Sequence, residues 1–186
     1  MSAPDPRRFR PERVCEHERI VIHEYDPAWP AYFEVSAGLL RDLLGPHIGR
    51  IEHFGSTAVP GLAAKPVIDM LVEVPSSATA THIVMPRLVW GGMEAYWQHG
   101  LGSWFFIQRH PIRPHRTHHL HMAPVTHPIW GRLAFRDHLR SHADVAARYA
   151  ELKRRLADEH TYDREAYTEA KAGFIDAVVA GLSRDA

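Results

Sequence analysis

The chain has 186 residues in which 22 Lys and Arg balance 22 Asp and Glu, with 15 His and one Cys. That length is ample for one domain with a buried core, and the zero formal charge argues against a phosphate polymer or an anionic membrane as the main partner. The lone Cys15 excludes an internal disulfide framework and a CxxC metal knuckle, which leaves the histidines as the unusual feature of the composition.

Residues 1–18 carry Pro4, Pro6 and Pro11 among Arg7, Arg8, Arg10 and Arg13, and read as a flexible arm. Nothing in that stretch has the apolar centre of a secretory signal, and no apolar run approaches the roughly 20 residues that span a bilayer, so a cytoplasmic location is expected. Ile20-Val21-Ile22 reads as a first strand or strand edge. Asp26 and Pro27 then open a helix with Trp29, Phe33, Ala37, Leu40 and Leu44 on one face, and Gly45-Pro46 stops it. Strands are expected over 48–54 and 66–74, separated by a loop that starts at Gly55-Ser56. A helix runs from about Pro75 to Leu88 in spite of Pro86, and Gly91-Gly92 closes it. A hairpin of strands at 93–98 and 104–109 follows, then a strand at 117–123. From Pro128 the period becomes helical, with stripes at Ile129–Leu139, Val145–Leu156 and Tyr167–Val178. The expected fold is α/β (α+β), a mixed and mostly antiparallel sheet with flanking helices. Its divisions are the arm at 1–18, a core at 19–125 and C-terminal helices at 126–186.

Two features carry chemistry. A strand that ends at Gly55-Ser56 presents free N–H groups and a hydroxyl at a close-approach turn, which suits a phosphate. Asp69 lies mid-strand among apolar neighbours, where a carboxylate must be paired or hydrogen-bonded. Alternation along the strand puts it on one face with Val67, Leu71 and Glu73.

These residues and others resemble a known family. YDPAWP at 25–30, IEHFGSTAVPGLAAKPVIDMLV at 51–72, RTHHLHM at 116–122, LAFRDHLRSH at 133–142 and DREAYTEAKAGFI at 163–175 are together similar to the GrpB-like family of predicted nucleotidyltransferases. The resemblance covers nearly the whole chain and implies a nucleotidyltransferase-like fold. It also implies a Gly-Ser turn at the phosphates and strand acids holding Mg²⁺ against a nucleoside triphosphate. A similar module is fused to dephospho-coenzyme A kinase in some bacteria. Where the superfamily has its first metal acid, this chain has Val67.

The resemblance places the third acid on a later strand, which Thr117–Ala123 would supply. His119 or His121 then faces Asp69. One expectation is a two-His, one-carboxylate centre of Asp69, His119 and His121 with catalytic and metal-binding roles, holding a divalent ion (Mg²⁺, Mn²⁺ or Zn²⁺). A second is neutral histidines that hold a polar core together. A third is an anion pocket, supported by Arg109, Arg113 and Arg116 around the strand. Gly55, Ser56, Lys65, Arg109, Arg116 and Lys171 are the candidate phosphate or nucleotide ligands, Glu52 and His53 the supporting polar residues, and Arg136 a further cation beside Lys171. Lys153, Arg154 and Arg155 read as part of a solvated helix face. Two functions stay open: a metal-dependent nucleotidyltransferase, or a non-catalytic nucleotide- or anion-binding module that has lost one metal acid. Either takes a nucleotide or phosphorylated small molecule as its partner.

Overall fold

The computed structural model describes residues 18–96, 102–113 and 115–182. The arm proposed for 1–18 therefore lies, apart from Glu18, outside the described residues, as does the turn of the hairpin at 97–101.

Five strands form one mixed sheet in the order β1-β2-β5-β4-β3. They are β1 (Ile51–Phe54), β2 (Ile68–Glu73), β3 (Glu94–Tyr96), β4 (Trp104–Arg109) and β5 (Arg116–Ala123). β2 and β5 run parallel, and the other three pairings are antiparallel. The short β-branched run at 20–22 does not join this sheet. Its continuation makes one isolated bridge, His23 with Ala64, and Ile20 is buried against Leu156, Ala157 and Tyr167. With its apolar side chain taken by the C-terminal helices, the segment has no reason to seek a sheet edge.

Helix α1 (Trp29–Leu44) buries the five apolar residues that its spacing selects. It starts two residues later than the Asp26-Pro27 signal suggests, because Asp26 Oδ1 accepts from Ala28 N–H at 2.8 Å and so closes a turn ahead of the helix. α2 (Ser77–Thr79) and α3 (Met85–Trp90) are joined through a wide π-helical turn at Ala80–Val84. That turn lets the helix continue into Pro86, whose missing N–H would break a regular α-helical ladder. Together these helices cover one sheet face, where Met70, Val72, Leu120, Met122 and Phe106 complete the main core.

The other face is covered by α4 (Arg132–Ser141), α5 (Ala143–Glu159), α6 (Arg164–Ala170) and α7 (Ala172–Leu182). A 3₁₀ turn at Pro128–Gly131 leads into α4, so Ile129 precedes that helix instead of belonging to it. The last stripe is likewise two helices, with Lys171 at the joint between α6 and α7. No helix among the described residues is long and apolar enough to cross a membrane.

Leu120 is fully buried at the centre of the sheet. Replacing it with Ala removes a packed side chain and leaves a cavity, so it should cost about 2–5 kcal/mol. Urea denaturation should show this as a lower midpoint with an unchanged slope.

Candidate functional site: a carboxylate ringed by cations

Strand register decides which side chains meet. Asp69 lies opposite Phe54 on β1 and His119 on β5, and Leu71 lies opposite His121. All of them share the face under the C-terminal helices. His119 Nδ1 donates to Asp69 Oδ1 at 3.0 Å. Burial pushes the Asp69 carboxyl up, but the bond from His119 and the nearby positive charge outweigh it and hold the group below its ordinary range. In His119 burial prevails over the carboxylate, so the ring is held neutral, and its buried Nε2 has no hydrogen-bond partner among the described residues.

His121 shares this face but makes aromatic contacts, with ring centroids 5.1 Å from Phe54 and 4.6 Å from Phe105. Desolvation lowers it to about 3, so it is neutral. Among the described residues, no three His, Cys, Asp or Glu side chains converge closely enough to hold a metal ion. Asp69, His119 and His121 share a face without forming a three-ligand centre, and the buried Val67 adds no oxygen donor beside them. The donor set present does not fit the expected metal.

Gly55 brings the turn against the acid. Its φ of +73° is open to Gly, and a Cβ there would fall 2.8 Å from Asp69 Cγ. Ser56–Ala58 follow as a 3₁₀ turn, with Ser56 near enough to the Tyr149 hydroxyl to influence its ionisation. The turn is latched from below by Thr57, whose hydroxyl donates to the Val67 carbonyl at 3.2 Å and accepts from His53 Nε2 at 3.1 Å. His53 is buried, stacked on Phe33, and lowered to about 4 by desolvation. Glu52 and His53 therefore divide between the two faces, with His53 toward α1.

Of the proposed cations, Lys65 and Lys171 come together over one ring. Their Nζ atoms lie 4.9 and 4.2 Å from the Tyr167 centroid. Desolvation, followed by the charge of Lys171, lowers Lys65 to about 7. Desolvation, tempered by Asp69 and reinforced by Arg132 and Arg164, lowers Lys171 to about 8. Arg116 is close enough to add to the field at Lys65 and His119, and it also pairs with Glu18. Arg109 does not join: it pairs with Glu94 at 2.7 Å near the β3 edge. Arg136 does not reach over the pocket either. It is held by Glu52 and Asp137 and donates to the His53 carbonyl at 2.8 Å, while Arg140 donates to the Ala58 carbonyl. Both arginines tie α4 to the turn.

Lys153 is the residue missed from sequence. It is not on a solvated face: it is 2% exposed, donates to the Ala63 carbonyl, and lies 4.8 Å from the Tyr149 ring. Desolvation and then Lys171 lower it to about 7. The signal was present, since Val145, Tyr149 and Lys153 repeat every four residues on the buried stripe. The adjoining Arg154 and Arg155 concealed it.

The fold and the site thus define an α/β protein with helices on both faces of a mixed sheet and a cluster of cations beneath the C-terminal helices. The chain belongs to the GrpB family: residues 19–180 match the model described as GrpB protein. It is 42% identical to a UPF0157 protein of Pseudomonas aeruginosa, over 98% of this chain and 74% of that one. The crystal structure of conserved protein GrpB from Enterococcus faecalis is similar with a TM-score of 0.78 and 34% identity, covering 89% of this chain and 98% of that one. A shorter stretch, 36% of this chain and 17% of the relative, is 42% identical to a dephospho-CoA kinase of Mycolicibacterium paratuberculosis.

The lysines give a pH dependence with a defined sign. In the unfolded chain each keeps its proton to about pH 10.4, whereas in the fold they release it near 7 to 8. The unfolded state binds more protons across that window, so stability should rise as pH goes from about 7 toward 10. His53 and His121, neutral in the fold to about 4 and 3, should lower stability as pH falls below about 6.5. Urea denaturation across pH 5–9.5 checks both limbs, and Lys171→Met should flatten the alkaline one. Gly55→Ala should cost about 1–3 kcal/mol through its strained φ and the clash with Asp69.

Proposed function

We propose that this protein binds a nucleotide or phosphorylated small molecule by its phosphate, between the Gly55-Ser56 turn and the C-terminal helices. The observation that carries this reading is the charge imbalance. Lys65, Lys153 and Lys171, with Arg132 and Arg164 near them, crowd a pocket where Asp69 is the carboxylate that favours ionisation of all three lysines. Partly buried ammonium groups held below their ordinary range are stabilised by a dianion that supplies the missing negative charge. Ser56, at the turn, is the hydroxyl available to donate beside it.

Asp69 then has an orienting role. Its negative charge keeps the lysines from losing their protons entirely, and its bond to His119 fixes that ring. The local likeness to a protein named dephospho-CoA kinase is in keeping with a phosphorylated ligand. The packing of the Gly55 turn directly on Asp69 favours metal-dependent nucleotidyl transfer as the second reading. Against it weighs that, among the described residues, no three His, Cys, Asp or Glu side chains gather as a donor set.

A thermal-shift screen of phosphate, nucleotides and phosphorylated coenzyme precursors, each with and without Mg²⁺, Mn²⁺ or Zn²⁺, separates the two. Binding should raise Tm by roughly 5–10 °C at about 100 times Kd, without added metal. Stabilisation that appears only with nucleoside triphosphate and metal together would favour the transferase. Because a bound anion raises the lysine pKa values, calorimetry at pH 8 in buffers of different ionisation enthalpy should show proton uptake on binding. Lys171→Met should lower the affinity at least about tenfold and reduce that uptake.

A further inference from the structure

Lys65 belongs to two neighbourhoods. On one side it shares the Tyr167 ring with Lys171, so the two ammonium groups are separated by no more than the sum of their distances to that ring. On the other side it lines a cleft of about 280 Å³ with Glu18, Arg19, His23, Arg116 and Arg164. Pro66 and Val67 form the floor where the cleft meets the start of β2, so the cleft adjoins the Asp69 cluster along one strand. Cavities that enclose a whole drug-sized ligand run to roughly 300–1,000 Å³, so this one suits a single acidic group and its immediate bridge.

The cleft has unmet donors. Arg164 pairs with Glu18 at 2.9 Å through Nη2. Its Nε and Nη1 are buried with no hydrogen-bond partner among the described residues, as is the facing Glu18 Oε2, so the two arginine donors outnumber the one unmet acceptor. Buried guanidinium donors without acceptors are rare because their desolvation is uncompensated. Glu18 also pairs with Arg116, so Arg164 does not have that carboxylate to itself. Val67, apolar and buried, places no like charge against an incoming anion.

We infer that this cleft is a second anion subsite, and that the ligand carries two neighbouring acidic groups, one at the Lys171 side and one between Lys65 and Arg164. The inference rests on the phosphate reading above and narrows it from any phosphorylated molecule to a bis-acidic one. Lys65 bridges the two groups. The second acid is either a phosphate or a carboxylate, since a guanidinium fork accepts both.

Isothermal calorimetry at fixed ionic strength with inorganic phosphate, pyrophosphate and phosphonoacetate tests it. The bis-acidic probes should bind the intact protein at least about tenfold more tightly than phosphate. Pyrophosphate alone doing so assigns the second group as phosphate, and both doing so assigns any acid. Arg164→Gln should shrink that advantage to about twofold, the bis-acidic probes losing several-fold more affinity than phosphate does. Glu18→Gln, which releases Arg164, should widen the advantage, and it decides the matter if Arg164→Gln does not fold. Equal affinities for all three probes, an equal loss for all three in Arg164→Gln, or an unchanged ratio in Glu18→Gln would overturn the second subsite and leave the phosphate reading standing. Failure of every probe to bind the intact protein would overturn both.

Discussion

A half-buried carboxylate, Asp69, is the acid that faces all three lysines Lys65, Lys153 and Lys171, more positive charge than one carboxylate can balance. It lies on the face of β2 beneath the C-terminal helices, and the bond from His119 keeps it ionised against its own burial. Lys65 precedes it in the chain, Lys153 comes from α5, and Lys171 comes from the joint of α6 and α7. None of these ammonium groups has the carboxylate to itself, and all three are held below the ordinary lysine range. The protein is neutral as a whole. Any attraction for an anion is therefore local, produced by where the fold concentrates its cations.

The fold serves that concentration through a division of labour between the sheet faces. The side under α1, α2 and α3 is an ordinary apolar core. The opposite side mixes apolar clusters with the polar group, and arginines on α4 secure the boundary by binding main-chain carbonyls of β1 and the following turn. Gly55 is the narrowest constraint, since both its φ and the space beside Asp69 exclude a side chain. Tyr149 and Tyr167 act as apolar walls that tolerate ammonium groups on their rings.

Much of this was legible in the sequence, because it depends on local periodicity. The α1 stripe, the Gly55-Ser56 turn and the polar Asp69 inside an apolar strand follow from spacing and strand alternation, whereas a histidine of β5 beside Asp69 follows from the family resemblance. The misreadings depend on long-range packing. Arg136 and Arg109 look like free cations until Glu52 and Glu94 are placed against them. Lys153 looks solvated because its neighbours are charged, and its burial is set by Ala63, 90 residues away in sequence. The break at Lys171 is marked only by Gly173 two residues on, while the four-residue spacing of Tyr167 and Lys171 is what puts the ammonium group over that ring. His121 shares the predicted face, but aromatic neighbours surround it, and composition alone does not distinguish an aromatic contact from ligation.

Attraction for an anion at this site depends on ammonium groups that burial, reinforced by neighbouring cations, holds far below their ordinary range. Nuclear magnetic resonance of protein carrying ¹³Cε-labelled lysine, with Lys171→Met used to assign its signal, measures this directly. In the ligand-free protein Lys171 should titrate near 8 and should move upward when phosphate is added. A Lys171 that titrates at about 10 or above in the free protein, as an ordinary solvated lysine does, would contradict the account.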